Sequence, residues 1–165
     1  MNPVETLLHR SGQWALRLLL LSLALTPLRQ LTGMAWLIRL RRMLGVYAFF
    51  YVCLHFGVFV VFEHSLDLGE MLADVAKRPF ILAGFVALLL LVPLAVTSTN
   101  GWMKRLGKRW KQLHKLVYPI AVLAVLHFLL LNKSDDYREP GIYALVLALL
   151  LALRHPALRL NRRGR

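Results

Sequence analysis

The chain lacks most of what a soluble enzyme or a disulfide-rich protein contains. Its 165 residues include one cysteine, Cys53, and only 8 acidic residues against 21 Lys and Arg. A single cysteine excludes an internal disulfide framework and a thiolate metal site within the chain. We recognise no Gly-rich cofactor loop, no activated nucleophile and no pair of catalytic carboxylates. The chain therefore has no substrate-reducing or hydrolytic site of its own that we can identify, and whether it counts as an enzyme stays open.

Apolar residues, by contrast, make up 58% of the chain and are gathered in blocks. This distribution predicts an all-α, polytopic transmembrane helix bundle in one domain over 1–165. We expect about five spans, at 13–28, 43–62, 80–96, 116–131 and 141–153. Several fall below the roughly 20 residues of a full span, so flanking Lys, Arg and Trp are expected to snorkel at the interfaces. We find no internal repeat.

The charged residues predict the orientation of these spans. The segments 29–42, 97–115 and 154–165 contain basic but no acidic residues, whereas all eight acids lie in the N-terminal segment and in the two segments that alternate with the basic ones. By the positive-inside rule the basic segments are cytoplasmic, so the N-terminus is outside and the C-terminus inside. The bases flank apolar blocks, so the net charge of +13 indicates contact with lipid and no nucleic acid. The outer segment 64–77 has apolar residues at helical spacing and predicts a short interfacial helix.

Two histidines lie at matching depth inside apolar blocks. His55 follows Arg42 by 13 residues, and His127 follows Lys115 by 12. At the rise of an α-helix each lies roughly 18–20 Å from the inner surface. Two facing imidazoles are the axial ligands of a six-coordinate haem b. The alternative is that each histidine donates one hydrogen bond to a neighbouring helix.

Small residues near these histidines, Gly57, Ala121 and Ala124, would leave room for a flat cofactor or serve ordinary helix packing. We expect the remaining outer and terminal histidines, His9, His64 and His155, to be solvated or at the headgroup level.

His114 is expected at the inner surface and has no histidine of matching depth except His155. It is either a ligand of a second haem or part of an inner site for a quinone or a flavin such as FMN. Arg109, Trp110 and Gln112 could hold the head of that ligand, although snorkelling anchors have the same composition.

Several stretches resemble a known family: LIRLRRMLGVYAFFYVCLH (37–55), KRPFILAG (77–84) and TSTNGWMKRLGKRWKQLHKLVY (97–118), followed by His127. They are similar to the MsrQ family, formerly YedZ, within the ferric-reductase-like transmembrane proteins. The resemblance implies a b-type haem protein of the bacterial inner membrane, with the family's histidines at His55, His114 and His127. It also implies electron transfer from respiratory quinol, or from flavin, to a periplasmic molybdopterin subunit, MsrP, which reduces methionine sulfoxide in oxidised proteins.

The family usually has six spans, and this chain starts at what corresponds to the second. We expect either a start codon placed late or a genuinely shortened form.

The predicted function is thus electron transfer across the membrane, in support of methionine sulfoxide repair under oxidative stress. The acidic outer loops and the 64–77 helix would be the docking surface for the periplasmic partner. The alternative is a non-redox transporter or assembly scaffold that uses His55 and His127 for proton relay or packing.

Overall fold

The computed structural model describes residues 3–131 and 137–154. Within these ranges the chain is 89% helical and contains no strand. The helices are α1 (Pro3–Thr32), α2 (Leu37–Val58), α3 (Leu68–Lys77), α4 (Pro79–Val96), α5 (Asn100–Leu106), α6 (Lys108–Leu113), α7 (Val117–Leu131) and α8 (Arg138–Ala152). A π-helical segment, Phe59–Glu63, extends α2, and a 3-10 turn, His114–Leu116, joins α6 to α7.

Three of the described helices are long and apolar enough to cross a membrane, judged by length and composition: Leu37–Glu63, Pro79–Val96 and Lys108–Leu131. They contain the predicted spans at 43–62, 80–96 and 116–131. The predicted segment 13–28 lies in α1, which has 30 residues but carries Gln13 and Arg17 among its leucines. The segment 141–153 lies in α8, which has 15 residues. The all-helical prediction is confirmed, and five spans stay a prediction.

The short helix predicted over 64–77 begins later than expected. The helix starts at Leu68, where the Asp67 side chain accepts hydrogen bonds from the backbone N–H groups of Gly69 and Glu70 and so caps it. Ser65 and Leu66 precede the cap with φ of 47° and 68°, a left-handed conformation that turns the chain back over α2. His64 is consequently buried, with 6% of its surface exposed, so it is not solvated, and its expected position at the headgroup level stays a prediction.

The bundle is built from two helix pairs. α1 packs along α2, and α4 packs along α7, while α2 contacts α4, and both α1 and α8 contact α7. Apolar side chains from all five helices meet in one core, in which Leu23, Ala48, Ile120 and Ala121 are at most 1% exposed. The core therefore lies between the two pairs and fixes how they face each other.

The two helix pairs are repeats of one another, so the expectation of no internal repeat is wrong. Four of the nine buried positions of α1 are buried again on α4, 72 residues later (83 − 11 and 94 − 22): Ser11, Ala15, Leu19 and Ser22 correspond to Ala83, Ala87, Leu91 and Leu94. GQWAL at 12–16 matches GFVAL at 84–88, and LHF at 54–56 recurs at 126–128. The identities are few and far apart, and only their shared burial makes the repeat visible.

Candidate functional site

His55 on α2 and His127 on α7 come together between the two repeats. Their ring centroids are 6.1 Å apart, and the ring planes are nearly perpendicular, at 82°. Each histidine occupies the same position of its repeat, since 127 − 55 is again 72. The two imidazoles, which the sequence predicts at the same depth, therefore lie close together inside the apolar bundle.

Each imidazole is oriented by one backbone carbonyl on the other helix of its pair. Nδ1 of His55 donates to the Leu8 carbonyl on α1 at 3.0 Å, and Nδ1 of His127 donates to the Phe80 carbonyl on α4 at 2.6 Å. A carbonyl oxygen only accepts, so Nδ1 carries the proton and Nε2 keeps its lone pair. The hydrogen bond to a neighbouring helix, which was the alternative to metal ligation, is therefore formed while Nε2 stays chemically able to bind a metal.

Two glycines allow these rings to lie against the helices. A Cβ atom on Gly12 would lie 3.1 Å from Nδ1 and Cε1 of His55, and one on Gly84 would lie 2.9 Å from Nδ1 of His127. Gly57 does not mediate close helix packing, because a Cβ there would meet nothing within 4 Å, and its expected role of leaving room for a cofactor stays a prediction. The signal that could have found the correct pair is the recurrence of glycine 43 residues before each buried histidine (55 − 12 and 127 − 84).

Aromatic and small side chains complete the surroundings. The Phe80 ring lies 6.3 Å from the ring of His127, and Phe56 and Phe85 pack against each other 6.0 Å apart. Ala121 is fully buried in the core, and Ala124 packs against it. These alanines therefore contribute to helix packing, which was one of the two roles considered for them.

His114, at the other end of the same helical region, lies in a separate cluster. Its ring stacks on the Trp110 indole at a centroid distance of 3.9 Å, and its Nδ1 lies 3.1 Å from the Trp110 carbonyl. The indole in turn donates to the Thr97 carbonyl at 2.8 Å. Nε2 of His114 is buried without a hydrogen-bond partner among the described residues. Arg109 and Gln112 are exposed on α6. Of the three residues predicted to hold a ligand together with His114, only Trp110 contacts the His114 ring.

Comparison with known proteins assigns the family. A model of the ferric reductase like transmembrane component matches residues 11–125. A curated relative from Herminiimonas arsenicoxydans, the protein-methionine-sulfoxide reductase heme-binding subunit MsrQ, is 54% identical over 155 residues, covering 93% of this chain and 71% of the relative. The protein of the same name from Xanthomonas campestris pv. campestris strain 8004 is 57% identical over 153 residues, covering 93% and 70%. The chain belongs to the MsrQ family. No solved structure gives a significant match.

One arginine of the segment predicted as a basic C-terminal tail enters the bundle of this MsrQ-family chain. Arg154 donates to the Tyr118 hydroxyl at 2.8 Å and to the Leu23 carbonyl, and its guanidinium lies 5.3 Å from the centre of the Tyr118 ring. It therefore ties the end of α8 to α7 and α1. His155, predicted as the only partner of His114 in depth, lies outside the described residues.

At the opposite end of this MsrQ-family chain, His64 joins a small polar cluster. Its Nε2 lies 3.7 Å from an Asp74 carboxylate oxygen, and Arg78 reaches the same oxygen at 3.2 Å. The ring of His64 also packs edge-on against Phe59, 4.6 Å away. The cluster attaches α3 to the C-terminal end of the extended α2, a role that the sequence pattern of the segment did not reveal.

Proposed function

We propose that the chain is a haem b-binding membrane subunit of a methionine sulfoxide reductase system, with His55 and His127 as the axial ligands. The observation that carries the proposal is the 6.1 Å separation of the two ring centroids. An imidazole nitrogen lies about 2 Å from a bound first-row transition metal, and the ring centre lies roughly 1 Å further away. Two imidazoles on one iron therefore have centroids about 6 Å apart, and the residues present fit this group.

A haem bound here would supply a one-electron carrier inside the apolar core. The chain's own contribution is to hold and tune the two ligands. The carbonyls of Leu8 and Phe80 fix the tautomer of each imidazole, and the hydrogen bonds raise the basicity of Nε2. The helix pairs around the site exclude water, because the faces that meet there are apolar.

For the direction of transfer we propose five spans with the N-terminus outside and the C-terminus inside, in the bacterial inner membrane. Electrons would enter at the inner end from the quinone pool and leave at the outer end for a periplasmic, MsrP-type molybdopterin partner. The printed name of the relatives, a heme-binding subunit of a methionine sulfoxide reductase, supports the system. The acidic residues of the outer segments, which include Asp67 and Glu70 on exposed positions around α3, support a polar docking surface.

For the inner end we propose a site for the head of a quinone or of FMN at His114 and Trp110. The repeat favours this over a second bis-histidine haem, because the position equivalent to His114 in the first repeat is Arg42 (114 − 72). Arg42 hydrogen-bonds the Asn100 side chain and does not offer a metal ligand. With Nδ1 of His114 donating to the Trp110 carbonyl, its buried Nε2 can accept a hydrogen bond from a quinol hydroxyl or a flavin N–H.

The decisive test of the proposed function is a reduced-minus-oxidised visible spectrum of the purified chain, with haem quantified as pyridine haemochrome. We expect b-type bands and one haem per chain. A transporter or scaffold that uses the same histidines for proton relay or packing gives no haem bands, and that result would refute the proposal. Two haems per chain would refute the assignment of the inner end as a quinone or flavin site.

The inner site makes a separate prediction. His114→Ala should slow reduction of the haem by a soluble quinol analogue about 10-fold or more, since one hydrogen bond to a bound head group is lost. The haem bands should persist, because His114 lies outside the His55 and His127 pair. Stopped-flow reduction measures the rate, and Lys111→Ala, an exposed change on the same helical region, is the control. Loss of haem from His114→Ala would instead place His114 among the ligands.

A further inference from the structure

The two glycines beside the paired histidines explain more than local packing. In an α-helix the carbonyl of residue i accepts from the N–H of residue i+4, and its second lone pair points outward. A side chain that reaches this lone pair from a neighbouring helix passes over residue i+4. Gly12 lies four residues after Leu8, and Gly84 lies four residues after Phe80, which are the two carbonyls that bind the histidines.

We propose that Gly12 and Gly84 are positioning residues, which by lacking a Cβ admit each imidazole to its carbonyl and thereby hold the two ligand planes near perpendicular. The inference deepens the proposed function and rests on it. Neither glycine touches the position of the iron, and each acts through one histidine.

Distances and position in the repeat support the assignment. A Cβ on Gly84 would lie 2.9 Å from Nδ1 of His127 and 3.2 Å from its Cγ, so the whole ring would have to move away. The contact at Gly12 is slightly longer, at 3.1 Å. The same set of carbonyl, glycine and histidine occurs in both repeats, with 47 residues between carbonyl and histidine each time. Two independent packing accidents would not be expected at equivalent positions.

The consequence for the bound iron follows from the hydrogen bond. An Nδ1–H that donates to a carbonyl makes Nε2 a stronger electron donor. Stronger donation favours the ferric state and lowers the midpoint potential. Displacing a ring from its carbonyl therefore raises the potential and also frees the ring to rotate away from the 82° arrangement.

The first test uses the unmodified 165-residue chain in its oxidised form. Near-perpendicular imidazole planes give a low-spin ferric EPR spectrum with one dominant large-g feature, whereas parallel planes give a three-line rhombic spectrum. We expect the large-g spectrum. A rhombic spectrum would overturn the inference while leaving the proposed function intact, and a chain without haem would overturn both.

The second test compares glycine variants of the same 165-residue chain. Gly84→Ala and Gly12→Ala should move the large-g feature and raise the midpoint potential, with the larger shift at Gly84 because its contact is closer. Gly45→Ala on α2 and Gly141→Ala on α8 are matched controls, since a Cβ at either position meets nothing within 4 Å. Alanine favours helix over glycine, so a weakened helix cannot cause the shift.

The comparison overturns the inference if the spectrum and the potential of both Gly84→Ala and Gly12→Ala match those of the control variants. If Gly84→Ala does not assemble, Gly12→Ala, with the looser contact, decides the question alone. The EPR spectrum of the unmodified chain provides a result that depends on no variant.

Discussion

Replacing His127 with alanine is expected to abolish haem binding, with a loss of affinity greater than about 100-fold. Removing an outer-shell partner of a metal ligand typically lowers metal affinity about 10–100-fold, and an axial ligand contributes a bond to the iron itself. His55→Ala should have the same effect, because the two imidazoles occupy equivalent positions facing each other. Haem content and the visible spectrum of the purified variants measure the loss.

The control for this prediction is His9→Ala, which removes a half-buried histidine from the N-terminal part of α1. It should leave the spectrum unchanged. Added imidazole should restore part of the b-type spectrum to His127→Ala, since a free ligand can occupy the space that the side chain leaves. If both alanine variants keep their bands without added imidazole, the ligand assignment is wrong.

The largest effect on stability is expected from Leu23→Ala. Leu23 is 1% exposed in the core where α1 meets the second repeat, and deletion of such a side chain typically costs about 2–5 kcal/mol. The cavity cannot close easily, because the Leu23 carbonyl is held by Arg154. Thermal unfolding in detergent should show the change as a clear fall in Tm.

Leu21→Ala, two residues away on the same helix, is the matched control for this substitution. The Leu21 side chain is 52% exposed, so its removal should change the free energy of unfolding by no more than about 0.5 kcal/mol. Equal losses for Leu21→Ala and Leu23→Ala would contradict the packing of α1 described above.

The paired histidines were accessible from the sequence because depth along a helix is a local property. The rise per residue is fixed, and the last basic residue before each apolar block marks the membrane surface. Counting from Arg42 and Lys115 therefore placed His55 and His127 at one level without any knowledge of how the helices pack. The same local chemistry, apolar length and charge, predicted that the chain is all-helical.

The direction in which a side chain points across the bundle depends instead on contacts between distant residues. His64 illustrates this, because its burial requires the reversal at Ser65 and Leu66 and the cap at Asp67, which together bring α3 over it. Similarly, Arg109 and Gln112 precede His114 closely in sequence but lie on the exposed side of α6. Proximity along the chain does not determine which residues share a site.

By itself, the sequence determined the helical class of this protein, the segregation of its charges and the common depth of His55 and His127. Only the tertiary structure decided that these rings face each other at 6.1 Å, that Gly12 and Gly84 lie beneath them, and that the two helix pairs are repeats. The physical reason is that rise and hydropathy are set residue by residue, whereas the rotation of one helix about another is set by the packing of all its neighbours.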